Sequence, residues 1–381
     1  MIRPRPPVRD TPLLLHVFPS FAVGGSQSRF VSIANHSGAR YRHAIVALDG
    51  DYACMARLQP EVDAQHFDLR LPKRATVANV VRLRKILAEQ SPDLLVTYNW
   101  GAIEWALANW PRVVPHLHIE DGFGPEEAGG QLLRRVLARR LALANSTVVL
   151  PSRTLYRLAL EKWRLPAGRV CHVPNGIDIA RFAGCRDPVA LPHGEGAVIG
   201  TVAALRPEKN VARLLRAFQR ARNTAPCRLV IAGDGPLRGE LETLATQLLP
   251  PDSFVFLGHV AAAERVYAAL DIFALTSDTE QMPLSLMEAM AAGLPVVATE
   301  VGDVREMVAP GNIPYIVPRD EHALSEALAR LAADPDARRT LAGANRAWAK
   351  KYFGMDEMFS RYDSLFGGLV VSPTSARRRR V

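Results

Sequence analysis

The stretch Ser277-Asp278-Thr279-Glu280-Gln281-Met282-Pro283-Leu284-Ser285-Leu286-Met287-Glu288-Ala289-Met290-Ala291-Ala292-Gly293-Leu294-Pro295-Val296-Val297-Ala298-Thr299 decides the fold. An apolar strand, Ile272 to Leu275, precedes it, and the polar residues that follow read as a loop. Pro283 suits the first turn of a helix, where its missing N–H costs nothing. The helix runs through Met287 and Met290 to Gly293, a natural C-terminal stop, and Leu294 to Ala298 is the next buried strand. Strand, loop, helix and strand in this order build one unit of a parallel sheet. Glu280 then sits in a loop at the carboxyl end of a strand, and Glu288 about a turn inside the next helix.

This placement has chemical content. A helix N-terminus in an open α/β sheet offers free N–H groups and partial positive charge, a site for phosphate. A carboxylate beside such a site is ill suited to phosphate and well suited to hydroxyls. Two carboxylates point to a ligand with hydroxyls on both sides of a diphosphate, as in a nucleotide sugar. Taken alone, such a pair reads first as a solvated loop residue and a surface helix residue; the surrounding residues reverse that preference.

A chain of 381 residues is too long for one core and fits two domains. Its 48% hydrophobic and 22% charged content is ordinary for a globular protein. No apolar run approaches the roughly 20 residues of a bilayer span. Met1 to Pro7 lacks the apolar run of a signal peptide. Cys54, Cys171, Cys185 and Cys227 are scattered, with no paired motif, so reduced thiols and a cytoplasmic protein are expected. The net charge of +9 implies an acidic partner, but 7% aromatics without basic interleaving argue against nucleic acid. Arg134, Arg135, Arg139 and Arg140 share a helix with Leu132, Leu133, Val136, Leu137 and Leu141. That helix reads either as a peripheral contact with an anionic membrane or as a solvated face. The Arg377 to Arg380 run reads as a frayed tail.

Strand and helix patterns alternate along the chain, which predicts parallel sheets covered on both faces. The first series holds strands at Leu13 to Phe18, Ala44 to Leu48, Leu94 to Tyr98, Val113 to Ile119, Thr147 to Pro151 and Val170 to Val173. Its first strand leads through Ala22-Val23-Gly24-Gly25-Ser26 into a helix, and Gln131 to Leu143 forms a long helix. Residues 180 to 196, rich in Gly and Pro, read as a linker. A second series restarts at Val198 to Ala203 and continues through Arg228 to Ala232, Val255 to Leu257 and Ile272 to Leu275. The expected architecture is therefore α/β, with two Rossmann-like domains facing a central cleft. Residues 1–183 form the first, 184–196 the linker and 197–345 the second; 346–381 form a helix and basic tail crossing back to the first.

With those residues placed, the chain resembles the retaining glycosyltransferases of the GT-B fold, specifically family four. The resemblance covers nearly the whole length. In order, Val173-Pro174-Asn175-Gly176-Ile177-Asp178, Arg206-Pro207-Glu208-Lys209-Asn210, Ala232-Gly233-Asp234-Gly235-Pro236 and Phe256-Leu257-Gly258 look like family signatures. Glu280 and Glu288 match its paired-glutamate motif, and Gly302-Asp303-Val304-Arg305-Glu306 its following glycine loop. Short glycine motifs arise by chance, but six in the right order do not.

The resemblance implies the C-terminal domain as donor site, with the N-terminal domain reading the acceptor. It assigns Glu288 to the ribose hydroxyls, Glu280 to the donor sugar, and the backbone of Met282, Pro283 and Leu284 to phosphate or sugar. Lys209 stabilises the leaving diphosphate. The partner arginine of the family aligns with Ala204, which cannot donate, so Arg206 is the candidate replacement. Gly24 and Gly25 approach the diphosphate from the first domain, and the backbone of His259 and Val260 lines the base pocket. The strand-end histidine corresponds to His118, though alternation leaves His116 on the same side. Glu120 and Asp121 favour a functional site there, and Glu126 and Glu127 read as acceptor contacts or solvated loop charge.

The implied reaction is transfer of a sugar, with retention, from a nucleotide sugar to a glycan or lipid-linked acceptor hydroxyl. A UDP-sugar is the expected donor. Asp49-Gly50-Asp51 matches a metal-binding motif of another fold but sits where a turn belongs, and no required metal or other cofactor is expected. Two alternatives stay open: a nucleotide-sugar epimerase on the same fold, and a non-catalytic nucleotide-sugar-binding scaffold.

Overall fold

Runs of β-branched and aliphatic residues, buried on both faces, suit parallel strands, and most of the thirteen strands in the described residues are such runs; the edge strand at Asp63–His66 is polar and partly exposed. The structure, a computed structural model, describes residues 11–69, 71–72, 75–123, 127, 130–191 and 194–370. The Met1 to Pro7 start, Glu126, Pro192 and the Arg377 to Arg380 run lie outside the described residues.

The N-terminal part runs β1 (Leu13–Phe18), α1 (Gly25–Ser37), β2 (Arg42–Ala47), β3 (Asp63–His66), α2 (Thr76–Gln90), β4 (Leu94–Tyr98), α3 (Ile103–Ala108) and β5 (His116–Ile119). It continues with α4 (Leu133–Ala142), β6 (Thr147–Leu150), α5 (Arg153–Glu161) and β7 (Val170–His172). Its seven strands are parallel in the order β3-β2-β1-β4-β5-β6-β7.

Next come α6 (Ile179–Ala183), β8 (Ala197–Val202), α7 (Val211–Arg222), β9 (Cys227–Ala232), α8 (Arg238–Leu248), β10 (Phe254–Gly258) and α9 (Ala263–Tyr267). Then follow β11 (Ile272–Leu275), α10 (Leu284–Ala292), β12 (Val296–Thr299), α11 (Val304–Met307), β13 (Ile316–Val317), α12 (Glu321–Ala333) and α13 (Pro335–Tyr352). These six strands are also parallel, in the order β10-β9-β8-β11-β12-β13. A final helix, α14 (Met355–Leu369), closes the described chain.

Two compact units result. One spans the chain up to Pro174 and takes it up again at Asp356; the other is Asn175 to Met355. The change of unit therefore falls at Pro174–Asn175, earlier than the predicted linker. Residues 175–183, expected in the first domain, pack in the second, where Ile177 and Phe182 join its core. The predicted linker is not free either: Val189 and Leu191 lie against that core, and the Val189 N–H donates to the Arg265 carbonyl. Residues 346–355 stay with the second unit, and the return to the first begins at Asp356.

Each sheet reverses direction once. In the first, the order turns at β1 and β4; in the second, at β8 and β11. Ligands of open α/β sheets bind outside the carboxyl ends of the strands at such points. Lys209 follows β8 and Glu280 follows β11.

Candidate functional site

The second unit brings the two residues together. Lys209 Nζ donates to Glu280 Oε1 at 2.5 Å, and Ser277 Oγ donates to the same oxygen at 2.7 Å. Both side chains are largely covered, so the pair is less screened than a surface ion pair. The loops that carry them are tied to each other. Thr276 Oγ1 donates to the Asn210 carbonyl at 3.1 Å, and the Asp278 N–H to the Glu208 carbonyl at 2.8 Å. Asp278 also accepts from Arg213 at 2.6 Å and from Asn210 at 2.9 Å. Arg213, Asn210 and Asp278 thus hold the frame of the pair, and none was singled out from sequence. Asn210 carried a readable signal, since it directly precedes a helix and its side chain accepts the capping N–H of Arg213.

Two glycine motifs are explained by contact. A Cβ on Gly302, whose φ is +55°, would lie 2.2 Å from the Glu280 carbonyl oxygen. A Cβ on Gly233, at φ +135°, would lie 1.8 Å from the Ala203 oxygen, in the loop leading to Lys209. Only glycine permits either approach.

Pro283 is the residue just before α10, in extended conformation, and not within the first turn as predicted. The helix still begins at Leu284, and its first N–H groups point toward the β11 end. Met282 is held in place by Asn175, whose amide donates to the Met282 carbonyl at 3.2 Å. Asp178, from the same short motif, caps α6 by accepting from the Arg181 N–H at 3.0 Å.

Glu288 lies in the second turn of α10. Its Oε2 accepts from the hydroxyl of Tyr267 at 2.8 Å. Tyr267 is fully buried between Phe182 and Phe273, at centroid distances of 5.8 Å each. Burial pushes the Glu288 carboxyl above the usual carboxylate range; the Tyr267 hydrogen bond and Arg181 oppose the shift, and Glu264 adds to it. Burial and the adjacent carboxylate keep the Tyr267 hydroxyl protonated well beyond its ordinary range. Arg181 and Glu264 themselves pair at 2.6 Å. Tyr267 is a functional candidate that sequence reasoning missed, because α9 is too short to show which face carries it.

Arg206 is exposed, and its backbone N–H turns back to the Ala204 carbonyl at 2.8 Å. His259 is exposed and Val260 half-buried, just past the end of β10, where the Gly233 N–H after the neighbouring β9 donates to the Gly258 carbonyl at 2.7 Å.

In the first unit, Gly24 is the N-cap of α1 and Gly25 its first residue, at the carboxyl end of β1. Gly24 is extended, so its backbone is open to other residues, and its value is access rather than conformation. Arg29, further along α1, is buried and grips Asp121 with two bonds of 2.5 and 2.8 Å. Asp121 is therefore a partner of α1 rather than of a histidine.

The structure places His118 deeper than the strand end alone suggests. His118 is fully buried; Nδ1 lies 2.8 Å from Thr97 Oγ1, and Nε2 3.4 Å from Glu120 Oε2. His116 does share its side of the sheet, 2.8 Å from the same hydroxyl, but also bonds Ser146 Oγ at 2.7 Å. Burial, with His118 and Arg112 nearby, pushes the His116 imidazole well below its ordinary range. Neither ring is open to a substrate in this structure. Glu120 and Glu127 are interior too: both are buried, and both accept from Arg139, at 3.3 Å and at 3.1 and 3.0 Å. Glu127 is neither solvated nor free for an acceptor. Glu126 lies outside the described residues.

Asp49-Gly50-Asp51 forms a turn, in which the Asp51 N–H donates to Asp49 Oδ1 at 3.0 Å. Among the described residues, no three or more His, Cys, Asp or Glu side chains are grouped to hold a metal ion.

Two Rossmann-like units, each with its own parallel sheet, make this a GT-B protein. HepE from Anabaena, solved with UDP and glucose, superimposes with a TM-score of 0.76 over 94% of this chain and 100% of its own, at 20% identity. The model of glycosyl transferases group 1 matches residues 187–348, and that of glycosyltransferase family 4 matches residues 23–181. The chain belongs to this glycosyltransferase family. A GDP-mannose-dependent alpha-mannosyltransferase of Mycobacterium tuberculosis is 30% identical over 211 residues, 52% of each chain. A GDP-mannose-dependent alpha-(1-6)-phosphatidylinositol monomannoside mannosyltransferase of Mycolicibacterium smegmatis is 31% identical over 200 residues, 48% of this chain and 52% of its own. The matched region spans about half the length of these curated relatives.

Proposed function

We propose that this chain is a retaining glycosyltransferase that moves a hexose from a nucleoside diphosphate sugar to a hydroxyl of a glycan or lipid-linked acceptor. One observation carries the reading. Lys209 and Glu280 meet at 2.5 Å across the switch point of the second sheet, beside the N-terminus of the helix that bears Glu288. A cation for a departing phosphate, a carboxylate for sugar hydroxyls and N–H groups for the diphosphate are thereby held on one scaffold.

In the reaction, the bond from the anomeric carbon to the diphosphate oxygen breaks, and the acceptor oxygen forms its bond on the same face. The acceptor proton passes to the leaving phosphate oxygen, so no side chain acts as a covalent nucleophile. Lys209 turns from Glu280 to the diphosphate as negative charge develops there, with Arg206 in place of the arginine missing at Ala204. Glu280 orients the sugar and stabilises positive charge at the anomeric carbon. Glu288 accepts from the ribose hydroxyls, and the backbone of Met282, Pro283 and Leu284 meets the diphosphate or sugar. The His259 and Val260 backbone lines the base pocket, and Gly24 and Gly25 offer N–H groups to phosphate. Charge neutralisation then rests on these groups without a resident metal.

UDP is the first base to test. The names of the mannosyltransferase relatives make GDP the second, and the phosphatidylinositol monomannoside in one of them favours a lipid-linked acceptor. Synthesis of a cell-surface polysaccharide or glycolipid at the cytoplasmic face of the membrane follows as the setting. Among the described residues no helix is long and apolar enough to cross a membrane.

The test is an NMR assay of the product anomeric configuration with an α-configured donor. An α-linked product is expected. A β-linked product overturns retention, donor epimerised without acceptor identifies an epimerase, and donor bound but unchanged identifies a scaffold.

A further inference from the structure

Helix α4 is built inside out. Its Arg139 is fully buried, with its guanidinium 4.9 Å from the Trp100 ring, 5.1 Å from Trp163 and 5.2 Å from Phe123. Arg135 also turns inward, 3.2 Å from Glu127 and 5.1 Å from Trp100. Two of the four arginines in this helix are thus spent inside the unit. Three leucines face out instead: Leu133 at 81% exposure, Leu137 at 57% and Leu141 at 69%. Their spacing of four residues puts them on one stripe. A surface helix ordinarily presents the opposite pattern.

The stripe is not isolated. Helices α2, α3 and α4 each link strands that advance in the same direction across the sheet, so right-handed crossovers lay them on one face. Inner residues of α2 and α3 share one core cluster, and those of α3 and α4 another. On the outer side of this layer α2 exposes Val77 and Val81, and Trp110 lies exposed beyond α3. These three and the three leucines are most of the exposed large hydrophobics among the described residues.

Basic residues flank them. Arg134 and Arg140 are exposed on α4, which carries no acidic residue, and Arg82 and Lys85 are exposed on α2. Glu89 partly offsets Lys85, at 3.7 Å. We propose that the outer face of the α2–α3–α4 layer seats this enzyme on an anionic lipid surface, with Leu133, Leu137 and Leu141 inserted and Arg134 and Arg140 at the headgroups. Leucine, valine and tryptophan beside arginine is the composition of an interfacial helix. A second copy is a poorer occupant, because a two-fold contact would set arginine against arginine.

The inference takes its choice of occupant from the membrane-face setting proposed above, but its test is read without donor or acceptor. Full-length protein is mixed with vesicles of phosphatidylglycerol and phosphatidylcholine, and separately with phosphatidylcholine alone. Binding to the anionic vesicles, weakening with salt, is expected. Leu137→Ser with Leu141→Ser should lower the partition coefficient ~tenfold or more. Arg134→Gln with Arg140→Gln should lower it about tenfold and flatten the salt dependence. All four side chains are exposed, so melting temperatures should stay near wild type. Wild type that ignores anionic vesicles, or leucine variants that bind as wild type does, overturns the proposal. So does a dimer, seen by light scattering, that the leucine variants dissociate. A protein that binds a nucleotide but no vesicle sinks this surface and leaves the enzyme reading standing.

Discussion

Replacing Tyr267 by Phe removes one oxygen and nothing else, which makes it the sharpest probe of the donor site. The Tyr267 hydroxyl donates to Glu288 Oε2 at 2.8 Å, and the ring is fully buried, so Phe keeps the packing against Phe182 and Phe273. A hydrogen bond to a charged acceptor is worth about 1.5–3 kcal/mol. If about half of that appears as lost orientation of the carboxylate toward ribose, donor affinity falls by about threefold to twelvefold. The pH dependence is more telling. Burial already raises the Glu288 carboxyl, and the Tyr267 bond is the first influence that opposes it. Donor binding needs the ionised carboxylate, so it weakens as pH falls through that raised value. In Tyr267→Phe the carboxyl rises further, and the weakening must begin at higher pH. Arg181 and Glu264, which also face Glu288, are unchanged by the substitution and pull in opposite directions. Titration calorimetry of the nucleotide from pH 5 to 8 reads both effects, with Glu288→Gln as a control that should lose the pH dependence. Equal affinities for wild type and Tyr267→Phe at every pH would refute the positioning role of Tyr267.

Glu280→Ala should lower turnover by about 10²–10³ while nucleotide diphosphate affinity holds or rises, because Lys209 is released from its 2.5 Å partner. Loss of nucleotide binding with normal turnover per bound donor would contradict that role. Arg139→Met should destabilise the first unit by about 3–5 kcal/mol, since it strands the buried Glu120 and Glu127 carboxylates. A melting temperature within a degree or so of wild type would show that this network is dispensable. His16 and His43, 3.0 Å apart and buried, must make the first unit acid-sensitive. Burial lowers His43 to about 4, and burial together with His43 lowers His16 well below its ordinary range. The folded state binds fewer protons than the unfolded, so this stability is whole above the unfolded value near 6.5 and is lost as pH falls toward 4. For His43 alone the cost approaches ~3 kcal/mol at pH 4. Unfolding curves that do not move between pH 7 and 5 would count against it.

Much of the fold was legible because most of the parallel strands are apolar runs, and a few helices, such as those closed by Gly38 and Gly293, stop on glycine. Glu280, Glu288 and Lys209 were legible because each stands just past a strand or within a turn of a helix start. Depth was not. Alternation gives the side of a strand on which His118 and His116 lie, but both faces of that sheet are covered, and the rings are interior. The inversion of α4 was hidden for a related reason. Leucine and arginine alternate at helical spacing, and only the tertiary partners Glu120, Glu127 and Trp100 reveal which arginines go inward. The Gly- and Pro-rich composition of 180–196 imitates a linker, whereas the chain changes unit at Asn175, where long-range contacts begin, such as the bond of Asn175 to Met282 and the packing of Ile177 in the second core. Tyr267 escaped notice because its meaning lies wholly in its bond to Glu288.

The central claim is that the second unit holds a nucleotide sugar through Glu288 and the Lys209–Glu280 pair. Its most direct test is a thermal-shift panel of UDP, GDP, ADP, CMP and their sugars on wild type and Glu288→Ala. Stabilisation by one nucleotide series, UDP first and GDP second, lost in Glu288→Ala, is the predicted result. Folded wild-type protein stabilised by none of them, or a Glu288→Ala variant stabilised as fully as wild type, would contradict it.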